Sequence, residues 1–344
     1  MLYMINVNIN DNWNELIKRF QSLDIYYSQE YVSLSADIEK GEPEAFFLEN
    51  EWGRLFYPYV KRKIDVNKNY YDIITPYGYG GPMYEGDKRI LNQFYSEFKK
   101  YCIDHDIITE TIRLHPLLNI TDEVRKIIPV GFIRNTTAVD LREPLEKIKN
   151  NYSSSNKRNI NKAIKEGVRA VVSNDKKDIE VFIELYYETM DRNKATPFYY
   201  FNKSYFCRLM EETELSKPYL LFAEKDGKKI AGLIVIMGKE FAHYHLGASK
   251  TEFLNYRPNN LLFDKMIELS KSMNLKALHL GGGYTDNDSL FKFKTSFTNN
   301  FNFEYYLGKH ILNKSVYKDL SKVVKNSLKT SSDNSYFPQY RMNG

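Results

Sequence analysis

Residues 278–297 read "LHLGGGYTDNDSLFKFKTSF", and Lys294 stands in the middle of the apolar part of that run. An ammonium in water is a solvated charge with no chemical task. Held dry beside Phe293 and Phe297, it can donate to a substrate oxygen on which negative charge develops. If the segment is helical, residues 290, 293, 294 and 297 share one face and Lys292 points away from it. That spacing makes Lys294 the catalytic candidate, as oxyanion donor or electrostatic clamp. The opposing reading has Phe291, Phe293 and Phe297 as core anchors over which both lysines snorkel to water.

The remaining chemistry-bearing groups are few. His243 and His245 form a His-x-His pair of the kind that binds zinc. Only His279, on a neighbouring strand, offers a third ligand, so packed strand histidines are expected and no metal. The loop "TPYGYGGPMY" (75–84) has three glycines that allow close backbone approach to a ligand, and Tyr77 and Tyr79 could stack on a base or sugar. Its alternative is a tight turn packing between the two domains. It does not end in Lys-Ser/Thr, which excludes a mononucleotide P-loop and an ATPase. There is no Gly-x-Ser-x-Gly elbow, and neither cysteine pairs with a histidine in the sequence. For a general base the candidates are Asp286, Asp288 and the substrate itself. "SSSNKRNINKAIKEG" places Arg158, Lys162 and Lys165 on one side of a helix whose N-terminal dipole also attracts phosphate.

These groups need positioning elements, and the C-terminal half reads cleanly. "VRAVVS" (168–173) is a strand, followed by helical patterns over Asp175–Arg192 and Lys203–Thr213. Residues 218–238 form a hairpin turning at Lys225-Asp226-Gly227-Lys228. A third strand (240–249), a helix from Pro258 to about Met273 and a strand over 275–283 follow. The N-terminal half repeats the order: hairpin (44–64), strand and glycine-rich loop (70–82), helix (88–105), strand (107–116). Two fused domains fit this repeat better than a solenoid. They are expected at 1–145 and 146–325, with a tail at 326–344 in which Tyr336, Phe337 and Tyr340 dock. Ser153–Ser155 cap the helix that Gly167 ends.

The composition agrees. The 344 residues exceed what one core usually organises, and 42% apolar with 27% charged residues describes a globular chain. No apolar run approaches the ~20 residues of a membrane span, and the start has no secretory pattern. Cys102 and Cys207 are expected as buried filler in a reducing cytoplasm. The net charge of +5 suits an anionic partner without implying nucleic acid.

The order of elements resembles the acyltransferase fold of the Gcn5-related N-acetyltransferase (GNAT) superfamily. Its tandem occurrence resembles the Fem family of non-ribosomal peptidyl transferases, which attach amino acids to peptidoglycan precursors. "SNKRNINKAIKEGV", "YHLGAS", "RPNNLLFDKMIELSKSMNLKALHLGG" and "SLFKFKTSF" carry the likeness. Two features depart from it: "YGYGGP" stands where that family has Arg-Gly-Pro, and no 50-residue heptad insertion is present. The chain is therefore similar to a short form without the coiled-coil insertion, from surface-polysaccharide or small-metabolite pathways.

The resemblance implies an α/β (α+β) fold of two tandem acyltransferase-like domains, each a mixed central sheet flanked by helices. It implies a cytoplasmic enzyme that moves an acyl or aminoacyl group onto an amine of a nucleotide- or lipid-linked sugar or peptide. No cofactor is tightly bound; the donor is aminoacyl-tRNA or acyl-CoA, and peripheral membrane contact is compatible. Phe293 and Lys294 match the family's Phe–Lys pair near the reacting centre, Arg158 a position that holds a diphosphate, and Tyr244 a substrate-side tyrosine. Lys162, Tyr77, Tyr79 and Arg257 complete the expected binding set. Acetyl-CoA enzymes of this fold place glycines where "NYRPNNLLF" has none, which disfavours a pyrophosphate nest at Arg257. The other readings are acyl-CoA-dependent N-acylation of a nucleotide sugar and a catalytically silent scaffold.

Overall fold

The computed structural model describes residues 3–8, 12–118, 120–328 and 336–342. Two compact units emerge, 1–133 together with 305–344, and 134–304. In the first unit the chain runs β1 (Tyr3–Asn8), α1 (Trp13–Ile17), α2 (Gln29–Glu39), β2 (Glu42–Asn50), β3 (Gly53–Ile64), β4 (Asn67–Ile74), β5 (Met83–Gly86), α3 (Arg89–Asp104), β6 (Ile107–Arg113) and α4 (Thr121–Arg125). It leaves along β7 (Val130–Asp140). The second unit holds α5 (Leu145–Asn150), α6 (Ser154–Lys165), β8 (Arg169–Val172), α7 (Asp178–Arg192), α8 (Lys203–Leu209), β9 (Lys217–Lys225), β10 (Lys228–Met237), β11 (Phe241–Ser249), α9 (Pro258–Ser272), β12 (Ala277–Gly282) and α10 (Ser289–Thr295). β13 (Asn302–Ile311) returns to the first unit, and α11 (Lys314–Leu328) follows.

In the first unit the sheet order is β1-β2-β3-β4-β6-β13, with β5 beside β3. Helix α3 buries Ile90, Leu91, Phe94, Tyr95, Phe98 and Cys102 along one face, and Phe94 and Phe98 stack at 5.0 Å. In the second unit the order is β7-β12-β11-β10-β9-β8. Asp226 (φ 49°) and Gly227 (φ 73°) turn the β9–β10 hairpin, the two positive φ angles that a two-residue turn between right-twisted strands requires. The Ser153 hydroxyl accepts from Asn156 N–H at the start of α6, and Gly167 (φ 78°) follows its end, as the sequence indicates.

Three expectations are corrected. The boundary falls at 133/134 instead of 145, inside a strand that continues unbroken through the polar-looking "IRNTTAVD". Residues 305–344 belong to the first unit and form neither the end of the second domain nor a separate tail: β13 pairs antiparallel with β6, from Leu307↔Arg113 to Ile311↔Thr109. Cys207 is exposed, whereas Cys102 is buried as expected. The aromatic terminus docks in part: Tyr340 is buried with its hydroxyl 2.6 Å from Thr109 Oγ1 and Phe337 stacks on Tyr317 at 6.1 Å, whereas Tyr336 is exposed.

Candidate active site

The second unit contains a gap between two parallel strands. β11 and β12 pair only over Phe241↔Ala277, Ala242↔Leu278 and His243↔His279. Just beyond, each strand gains a residue relative to its other neighbour. The β10 register passes from Leu246 to Tyr244 and leaves His245 unmatched; the β7 register passes from His279 to Gly281 and leaves Leu280 unmatched. A bulge bends its strand, so two bulges at the point where pairing ends let the strands part.

A cavity of about 620 Å³ lies against the β11 side of this opening. Tyr244, Gly247 and Ser249 of β11, Arg257–Asn260 at the start of α9, Asn159 of α6 and Phe293 of α10 are in its wall. Gly247 is required there, because a Cβ at this position would overlap the Tyr244 hydroxyl. Phe293 sits edge-on to Phe263 at 5.0 Å and to Phe297 at 5.5 Å, and Tyr244 lies 4.8 Å from Phe263. Burial pushes the Tyr244 hydroxyl up to about 12, so it stays protonated and can donate.

Lys294 is 6% exposed, on the buried face of α10, while Lys292 is exposed. Helical spacing places both correctly, and the snorkelling alternative fails for Lys294. Its Nζ donates to the Gly282 carbonyl at the end of β12 (2.7 Å) and lies 5.3 Å from the Tyr244 ring centroid, a cation–π contact. Among the described residues it makes no ion pair. Burial brings this ammonium down to about 7, a fall that Asp288 resists and Arg134 reinforces.

The acidic loop after β12 is fixed, and its two aspartates are already engaged. Asp288 Oδ atoms accept from the N–H groups of Phe291 (2.8 Å), Tyr284 (2.6 Å) and Thr285 (3.0 Å), capping α10. Those bonds outweigh its burial and hold the carboxyl below its ordinary value. Asp286 accepts from the Asn135 N–H at 3.1 Å, and Arg134 NH1 donates to the Tyr284 carbonyl at 2.7 Å. Arg134 is not legible in the sequence as a site-positioning residue, since its loop partner lies 150 residues away. Asn260, in the first turn of α9, is buried and donates to Asn156 Oδ1 at 2.8 Å, tying α9 to α6. Ser153 N–H donates to the Ser296 carbonyl at 2.9 Å, which ties α6 to the end of α10.

Arg257 is exposed with φ 61°, a left-handed conformation, directly before Pro258 opens α9. Arg158 and Lys162 lie on α6, whose Asn159 reaches the cavity; they do not line it themselves. Tyr77 and Tyr79 belong to the first unit. Tyr31 Oη donates to the Tyr77 carbonyl at 2.9 Å, and the Tyr79 ring packs 5.7 Å from Tyr26 and 5.4 Å from Tyr305. These are the contacts of a packed turn, and the three partners, Tyr31, Tyr26 and Tyr305, all belong to the first unit. His243 packs edge-on to His279 at 5.8 Å, whereas His245 lies 2.7 Å from the Tyr205 hydroxyl. Burial, with His243 adding to it, brings His245 down to about 3, so it is neutral at physiological pH.

Comparison with known proteins places this geometry. Residues 151–294 match the acetyltransferase (GNAT) domain family model, a span that holds every cavity residue named above together with Lys294. No curated protein matches the chain in sequence. A crystal structure of FemX superposes with a TM-score of 0.72 at 14% identity, covering 92% of this chain and 99% of that one. L-PGS from Bacillus licheniformis gives 0.58 at 12% identity, covering 93% and 97%. A tandem GNAT protein from the clavulanic acid biosynthesis pathway gives 0.52 at 10%, covering 90% and 98%. The fold is thus that of tandem GNAT-like proteins, and residues 151–294 are the part of the chain that matches the acetyltransferase (GNAT) domain model.

Proposed function

We propose that the chain transfers an aminoacyl group from a carrier to an amine of a nucleotide- or lipid-linked sugar or peptide used in cell-envelope biosynthesis. The observation that carries this reading is the buried Lys294, without an ion pair among the described residues, behind the Tyr244 and Phe293 wall of the cavity. The amine attacks the carrier's ester carbonyl, a tetrahedral oxyanion forms, and the amine proton must leave before the carrier hydroxyl departs. Brought down to about 7, Lys294 is populated in its neutral form at physiological pH and accepts the amine proton; the ammonium so formed stabilises the oxyanion and then returns the proton to the departing carrier oxygen. The Tyr244 hydroxyl is a second donor. Arg158 and Lys162 bear on the phosphates of the acceptor, and Arg257 on those of the carrier. The likeness to FemX and to L-PGS supports an aminoacyl donor over a simple acyl one.

A second reading, with acyl-CoA as donor, is favoured by one observation. Arg257 adopts, without a glycine, a left-handed backbone at the start of α9. Thermal shift with acetyl-CoA and with aminoacyl-tRNA separates the two, and stabilisation by acetyl-CoA alone would replace the first reading by the second. Binding of neither carriers nor nucleotide sugars would leave a scaffold.

A further inference from the structure

Helix α11 presents a row of lysines at 314, 318, 322 and 325. At 3.6 residues per turn these fall within an arc of about 80°, and the row extends about 16 Å along the axis. Lys314, Lys318 and Lys322 make no ion pair among the described residues. The helix's single acidic residue, Asp319, lies outside the arc. On another side, Val316, Tyr317, Leu320 and Val324 pack with Ile64, Ile108 and Tyr340, so the apolar face is already spent on the fold.

We propose that this row is a docking face for RNA, its ammonium groups set against consecutive backbone phosphates. A one-dimensional line of cations repeating at about 6 Å suits a linear polyanion. An anionic bilayer is the competing occupant, but an interfacial helix holds a membrane by burying an apolar face in it. Here that face is covered, and Val323 is the one large apolar side chain exposed on the described part of the helix. The proposal rests on the aminoacyl-tRNA reading above and adds to it a docking face in the first unit: tRNA binding that ignores the row overturns the proposal alone, whereas no tRNA binding at all overturns that reading as well.

Fluorescence anisotropy with labelled, unacylated tRNA, titrated against the full chain at about 50–200 mM salt, tests it. The triple variant Lys314→Gln/Lys318→Gln/Lys322→Gln should bind at least ~10-fold more weakly, with a log–log salt slope shallower by about 2 to 3. The control Lys88→Gln/Lys99→Gln/Lys100→Gln removes the same charge from exposed positions elsewhere in the first unit and should change binding little. Equal weakening by both triples would overturn the proposal. So would row-dependent binding to phosphatidylglycerol vesicles by a chain that does not bind the tRNA.

Discussion

The two units treat the same structural problem in opposite ways. Each has a strand, a helix and a second strand parallel to the first. In the first unit the pair β4/β6 runs through Tyr71↔Ile107 to Ile74↔Thr111 and then stays zipped. Gly80 N–H donates to the Arg113 carbonyl at 2.8 Å, and His115 N–H to the Gly80 carbonyl at 3.1 Å. Buried charges there are matched: Arg113 and Arg62 meet Glu39 at 2.9 and 2.7 Å, and Arg62 meets Asp72 at 2.8 Å. Arg341 of the docked terminus closes the chain on Asp72 at 3.0 Å. Burial raises Glu39, but the two guanidinium groups outweigh it and bring the carboxyl below its ordinary value. In the second unit the pair parts after three residues, and the charge beside the gap, Lys294, has no counterion among the described residues. A buried charge with partners holds structure together. One without a counterion is a standing cost, which a reaction can justify.

This contrast can be broken by substitution. Removing Arg62 should have the largest effect on stability, because Arg62→Met leaves two buried carboxylates with one partner each, Glu39 with Arg113 and Asp72 with Arg341. Chemical denaturation should show the first unit weakened by about 3–5 kcal/mol. Lys294→Met should do the reverse, lowering single-turnover transfer by about 10²–10³-fold while the melting temperature holds or rises. An equal loss of stability in both variants would erase the distinction. Gly247→Ala should cost about 1–3 kcal/mol by forcing Tyr244 from its place, and should slow transfer as the cavity wall moves. Ser153→Ala, which removes the α6 cap, should cost about 1 kcal/mol and leave the chemistry intact.

Most of the repeat is legible in the sequence because its elements announce themselves locally. The Asp226-Gly227 turn, the Ser153 cap and the Pro258 start of α9 each satisfy a requirement set within a few residues. β7 and β13 escape such a reading, since their pattern is set by neighbours far away in sequence, and the domain boundary moves with them. At the site, helical spacing is enough to turn Lys294 inward and Lys292 outward. It gives no sign that Asp288 is consumed as a cap or that Arg134 braces the loop. Tyr77 and Tyr79 look like a ligand platform because glycine–tyrosine alternation suits both a stacking loop and a packed turn.

If burial lowers Lys294, the unfolded chain binds its proton more readily than the native one between about 7 and the ordinary 10.5. Stability should then rise with pH across that window in the wild type, and that part of the rise should vanish in Lys294→Met. The most direct measurement is the NMR titration of the Lys294 ε-carbon, assigned by its loss in the same variant. A midpoint near 7 is expected; one near 10.5 would mean the ammonium is solvated and would contradict its role at the cavity.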